Sequence, residues 1–246
     1  MGTDRVSATA TSVEILESLR RQGRAGVTAI AEDIDGSKAN VHKHLATLED
    51  ARFVRSSGGQ YELGHRFLGF AVASKRQEPA YTEGLSNLAK LADVTGATTT
   101  LVVREGLEAV YLHTVAPVGR VGTESLEGRR EPLTSAPGGL AILSCFPPER
   151  RRSLVEQSVD DADRIEPLLD RLRTAAQESV VVERTGADDR PEEIVAPIAG
   201  PDGDPAGAVS LERPTTSDES DRVETDLRKL VRNTAGTISN RLSLTR

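Results

Sequence analysis

The sequence predicts an α+β chain of two domains, the first of them a winged helix-turn-helix. Three observations predict this. Two short helical patterns separated by a single glycine lead into a glycine-tipped hairpin within residues 1–63; helices and hairpins interleave in the remainder; and the helical pattern breaks near Pro79 between the two. The domains divide as residues 1–75, including the start of a connecting helix, and residues 76–246. A chain of 246 residues is long enough to give each its own core.

Each element follows from its pattern. In TSVEILESLRRQG (11–23), Val13, Ile15, Leu16 and Leu19 mark a helix that Gly23 stops. VTAIAEDID (27–35) is a second, short helix with Ile30, Ala31 and Ile34 inward, ended by Gly36. Ser37 then offers a hydroxyl to a free backbone N–H as the N-cap of a third helix, in which Val41, Leu45 and Leu48 form one stripe at i, i+4 and i+7. FVRSSGGQYEL (53–63) alternates around Ser-Gly-Gly, a hairpin signal. A connecting helix and a further helix cover residues 65–96, then ATTTLVVREGLEAVYLHTV (97–115) reads as strand, Glu-Gly turn, strand. ERRRSLVEQS and RIEPLLDRLRTAAQES are amphipathic helices; residues 192–214 form a second hairpin with Asp-Gly at its tip. Residues 218–244 close the chain as a helix with Val223, Leu227, Leu230, Val231 and Ile238 on one face.

Composition narrows the functional classes. One cysteine permits neither an intrachain disulfide framework nor a thiolate metal cluster. No apolar run is long enough to span a membrane and the N-terminus lacks a signal core, so the reading is a soluble, cytoplasmic protein without a membrane partner. The net charge of −7, with few lysines, suggests the carboxylate-dense surface of a salt-loving organism. The charge is uneven: residues 1–76 hold eleven Lys/Arg against nine Asp/Glu, and residues 77–246 twenty against twenty-nine. A head that is slightly basic on an acidic body suits a polyanionic partner.

The third predicted helix carries the chemistry for that partner. With Val41, Leu45 and Leu48 inward, Ala39, Asn40, His42, Lys43 and Thr47 fall on the outer face, flanked by Lys38 and His44. A helix that enters a major groove needs an apolar back and small or polar residues toward base edges. Asn40 suits adenine, and His42 and Lys43 suit guanine. Lys38 and Arg55 suit phosphate, as do Ser37 and Thr28 at helix starts.

The stretch VTAIAEDIDGSKANVHKHLATLEDARFVRSSGGQYELGHRFLGFA, and SKANVHKHLATLEDARFV within it above all, closely resembles the DNA-binding domain of the IclR family of transcription regulators. EPLTSAPGGLAILSCFP (131–147) resembles the family's effector-loop segment, and EIVAPIAGPDGDPAGAVSL (193–211) its second pocket hairpin, so the likeness spans nearly the whole chain. It implies a winged helix-turn-helix joined by a helix to a GAF-like effector-binding domain, acting as a homodimer or tetramer on a palindromic double-stranded operator, without a cofactor. With the acidic surface, it implies a haloarchaeal source and control of a catabolic operon. It also implies an effector site built from the loop Thr134, Ser135, Ala136, Pro137 and Gly138, from Glu183, and from Glu193, Ser210 and Glu212. Ser210 and Glu212 share a strand face, and a buried carboxylate there needs a partner or ligand.

The effector class is a sugar-like molecule or a small organic acid. Departures from the family pattern at Thr134, Leu140, Glu193 and Glu212, together with Pro137 and its missing N–H, leave more carboxylate and fewer donors. This balance favours a neutral, hydroxyl-rich effector or a cation, unless Arg129 and Arg130 turn inward. Other signals read as structural: Cys145 as core filler, His113 as a satisfied strand histidine, and His42 and His44 as too poorly spaced to share a metal. The alternatives are a small-molecule enzyme, which lacks visible nucleophile or acid–base groups other than carboxylates, and a non-specific architectural DNA binder, which calls for a more basic chain.

Overall fold

The structure is a computed structural model that describes residues 6–117, 126–183, 192–213 and 221–244. The chain divides into two compact units, Met1–Lys75 and Arg76–Arg246.

In the first unit, α1 (Ser7–Gln22) ends where Gly23 turns to φ 72° and returns its N–H to the Leu19 carbonyl. Then follow β1 (Arg24–Gly26), α2 (Val27–Asp33), α3 (Lys38–Asp50), β2 (Val54–Ser57) and β3 (Gln60–Leu63), and α4 (Arg66–Arg76) begins. The Ser37 hydroxyl accepts from the Asn40 N–H at 3.2 Å and so caps α3. Gly58 and Gly59 both adopt positive φ, the requirement of the tight two-residue hairpin turn between β2 and β3. Ile15, Leu19, Ile30, Val41 and Leu45 are sealed in the core, and Leu16 and Ile34 pack against it. Val13, one of the four apolar residues that mark this helix, is 53 % exposed, because the helix turns it away from the Ile15–Leu19 stripe. β1 was not expected; its three residues pair antiparallel with β3, giving the sheet order β1-β3-β2.

In the second unit, α5 (Pro79–Thr95) leads into β4 (Thr98–Glu105), β5 (Glu108–Val115) and β6 (Arg130–Pro132). Three helices follow: α6 (Pro137–Cys145), α7 (Pro148–Ser158) and α8 (Ile165–Glu178). β7 (Val181–Glu183), β8 (Glu192–Ala199), β9 (Pro205–Arg213) and α9 (Asp221–Leu244) complete it. The six strands form one antiparallel sheet in the order β6-β5-β4-β9-β8-β7. Side-chain alternation divides the core between its faces. Leu101, Val103, Ile194, Ala196, Val209 and Leu211 pack with α5 and α9, whereas Val102, Ala109, Tyr111, Val195 and Ala208 pack with α6, α7 and α8. Val231, Ile238 and Leu242 are the buried stripe of α9. Leu230, expected among them, is 37 % exposed, and Val223 lies outside the residues whose side chains are described.

The segment 134–138, expected as a loop, runs into a helix: Ala136 is the N-cap of α6 and Pro137 its first residue, a position where the missing N–H removes nothing from the helix. The two glycines that follow are set by close packing. A Cβ on Gly138 would stand 2.8 Å from the Val102 side chain, and one on Gly139 only 2.4 Å from the Leu133 carbonyl oxygen. Arg151 of α7, itself buried, donates to the carbonyls of Ser144 and Phe146 at 2.7 and 3.0 Å, satisfying the C-terminal end of α6.

Gly139→Ala is therefore expected to destabilise the chain by about 1–3 kcal/mol. Gly236→Ala, at an exposed helical site with nothing within 4 Å of the added Cβ, should leave stability unchanged or raise it by up to about 1 kcal/mol. Urea unfolding of both variants checks the contrast, and equal midpoints would refute it.

Candidate nucleic-acid interface and ligand site

The stripe of Val41, Leu45 and Leu48 fixes the rotation of α3, and that rotation decides what faces outward. Lys38, Ala39, Asn40, His42, Lys43 and Thr47 are all exposed, as are Ser37 before the helix and Thr28 in the first turn of α2. From Gly36 to Leu48 there is no carboxylate. Thr47 turns its hydroxyl back to the Lys43 carbonyl at 3.1 Å. His44 leaves this face: half-buried, it shares a 2.9 Å hydrogen bond with the Ser12 hydroxyl, tying α3 to α1. The first carboxylate, Glu49, accepts from the Ser56 hydroxyl at 2.5 Å. Arg55 is exposed but not unattached, because its Nε lies 3.0 Å from Glu62 Oε1.

The second unit assembles a polar floor on the α6 side of its sheet. Cross-strand register places Glu183, Glu193, Glu212 and Thr98 in one row over β7, β8, β9 and β4. The next row holds Val181, Val195, Ser210, Thr100 and Thr114. Like charges directly opposite one another repel, so such a row requires compensation. Glu183 finds it in an ion pair with Arg171 of α8. Glu193 accepts from the Ser210 hydroxyl at 2.6 Å. Burial nevertheless pushes the Glu193 carboxyl up to about 7; the Ser210 bond and Arg129 oppose the rise, and Glu212 and Glu131 add to it. Thr100 and Thr114 share a hydroxyl–hydroxyl bond of 3.1 Å.

Tyr111, Glu131 and Arg129 adjoin this floor. The Tyr111 phenol donates to Glu131 Oε2 at 3.1 Å; burial, then Glu193 and Glu131, raise its pKa, so it stays a donor. Arg129 pairs with Glu131 and lies 5.7 Å from the Tyr111 ring. Arg130 is held by Glu105 and Glu108, at 2.7 and 2.9 Å. The structure thus brings Glu183, Glu193, Ser210 and Glu212 together. Thr134 and Ser135 line a different cleft, with Asp160, Asp161, Asp163, Arg164 and Arg171. The Ser135 and Ala136 N–H groups both point into a turn, each bonding the Pro132 carbonyl at 3.1 Å. Gly138 meets the sheet over Val102, two residues along β4 from Thr100, and Ala136 is buried in the same core.

Sequence reasoning missed Tyr111 and Glu131, which long-range strand pairing brings near Glu193, and it missed Arg24 on the unforeseen strand β1. Cys145 is half-buried, with its thiol pKa raised by burial. His113 bonds Glu127 at 2.7 Å and packs edge-on against Tyr81. Among the described residues no group of three or more His, Cys, Asp and Glu is arranged to hold a metal, and no helix is long and apolar enough to cross a membrane.

Fold and site together define a transcription regulator with a winged helix-turn-helix head and a separate ligand domain. Residues 10–58 match the IclR helix-turn-helix domain, and residues 82–240 match the family described as bacterial transcriptional regulator IclR C-terminal. The chain belongs to the IclR family of DNA-binding transcriptional regulators, proteins with a C-terminal effector domain rather than enzymes. It is 26 % identical to the "Probable HTH-type transcriptional regulator ArcR" of Halobacterium salinarum, over 97 % of this chain and 94 % of that one. Among solved structures it resembles an IclR transcriptional regulator from Alicyclobacillus acidocaldarius (TM-score 0.78, 19 % identity, 97 % and 99 % of the two chains). It also resembles an IclR homologue from Microbacterium hydrocarbonoxydans in complex with 4-hydroxybenzoate (TM-score 0.78, 18 % identity, 97 % and 100 %).

The raised pKa of Glu193 has a definite sign in stability. Between the ordinary value of 4.5 and about 7 the folded chain holds a proton that the unfolded chain releases. The folded state therefore loses stability as pH rises through this window, by an amount on the order of a few kcal/mol. Glu193→Gln should remove that slope between pH 4.5 and about 7 in denaturant unfolding, and an unchanged slope would show that Glu193 is not its source.

Proposed function

We propose that this chain binds a palindromic operator as a homodimer, with Asn40, His42 and Lys43 meeting base edges and Thr28, Ser37, Lys38, Thr47 and Arg55 serving the phosphate backbone. The observation that carries this reading is the exposed, carboxylate-free face of α3 over a sealed apolar stripe. In an acidic chain, a face from which carboxylates are missing is suited to approach phosphate. Dimerisation is supported by α4, which buries none of its own residues and exposes Leu68, Phe70 and Val72. A second copy covering this helix would set the two recognition helices about one DNA turn apart.

The effector is a small neutral polyol or a cation, received on the floor of Glu193, Ser210 and Glu212, with Glu183 at its edge and Gly138, in the first turn of α6, over the adjoining Val102. Tyr111 and Arg129 complete the surroundings. The relative from Microbacterium binds 4-hydroxybenzoate, an acid. Here the row of glutamates opposes a ligand carboxylate and favours hydroxyl or ammonium donors. Bound effector shifts the population between two dimer geometries and thereby the spacing of the recognition helices on a catabolic operon.

A footprint over one palindrome, lost or at least tenfold weaker in Asn40→Ala at unchanged thermal stability, is the expected result, corresponding to about 1–3 kcal/mol per base contact. Wild-type affinity in that variant would remove Asn40 from the interface. Calorimetric titration with sugars, amines and keto acids tests the ligand class; binding of an acid alone would overturn it.

A further inference from the structure

The wing sheet concentrates all its strand charges in one row. Arg24 of β1 and Arg55 of β2 stand directly opposite Glu62 of the central strand β3. No other residue of the three strands is charged. Ala25 and Val54 are buried and Tyr61 and Leu63 pack against the core, so alternation turns the row outward. Both arginines converge on one oxygen: Arg55 Nε lies 3.0 Å and Arg24 Nη2 3.7 Å from Glu62 Oε1. About half of each arginine side chain stays exposed, and Arg55 meets Glu62 through its Nε, on the stem side of the guanidinium fork.

As a stability device this arrangement achieves little, because both arginines are half-exposed and water screens such ion pairs. As a means of presenting charge it does more. Ordering a long, rotamer-rich arginine on a partner costs side-chain entropy, and a shared carboxylate pre-orders both guanidiniums before the partner arrives. The row keeps a net positive charge, two guanidiniums against one carboxylate.

We propose that Glu62 is a positioning residue that gathers Arg24 and Arg55 into a two-pronged clamp for DNA phosphate on the wing. The proposal rests on the DNA-binding reading of this unit and adds to it a phosphate contact at Arg24 and a role for a carboxylate. It predicts a counter-intuitive sign: removing the negative charge weakens binding to a polyanion.

The test is fluorescence anisotropy of the full chain with a labelled 30-base-pair mixed-sequence duplex across a salt series. Glu62→Gln should bind severalfold more weakly than wild type at an unchanged melting temperature. Arg24→Ala/Arg55→Ala should lower the salt slope by up to about 2, near 0.9 per lost phosphate contact. In that double-alanine background Glu62→Gln should have no further effect. Equal or tighter binding by Glu62→Gln, or an effect that persists without the arginines, overturns the clamp while leaving DNA binding intact. Failure of the wild type to bind the duplex at low salt would overturn the DNA-binding reading itself and the clamp with it.

Discussion

The packing of three side chains, Val41, Leu45 and Leu48, against α1 and α2 is the constraint on which the DNA-facing unit depends. A helix has only one rotational freedom once its ends are fixed, and a buried stripe removes it. Everything outward on α3 then follows at 100° per residue, including the side-by-side exposure of Asn40, His42 and Lys43. The Ser37 cap fixes the first turn, and the Ser12–His44 bond pins the flank. None of these contacts is unusual in strength; together they leave the outer face no other orientation.

The second unit illustrates a different economy. Its sheet is covered on both faces, so every inward position asks for apolar packing, and most comply. The row of Glu183, Glu193 and Glu212 does not. Drawing carboxylates out of water is unfavourable even where they find partners, as Glu183 does in Arg171 and Glu193 in Ser210. Stability lost at a site and recovered in the surrounding core is the usual signature of binding, and here Tyr111, Glu131 and Arg129 add donors and acceptors from outside the row.

Local features were legible in the sequence. The α3 stripe, the Ser37 cap, the Gly23 stop and the Gly58–Gly59 turn depend on residues within a few positions of one another, and each appears as read. The misreadings share a cause as well. Leu230 lies on a helix where several registers of apolar residues are available, and only the neighbouring helix or sheet chooses among them. The stretch TSAPGG looks like a loop by composition, yet Pro137 is well suited to a helix start, and its glycines answer to Val102 and Leu133 rather than to flexibility.

The sequence by itself determined the two-part organisation, the helical phase of the exposed α3 residues and the family to which the chain belongs, because these are written in short-range periodicity and in contiguous motifs. Only the tertiary structure decided which distant residues become neighbours. β4 pairs with β9 across more than ninety intervening residues, and that pairing sets Thr98 and Thr100 beside Glu212 and Ser210. The strand β1 is three residues long, too short to carry a period, yet it places Arg24 against Glu62. Strand register is a long-range choice made by the whole core at once, and no window of sequence contains it.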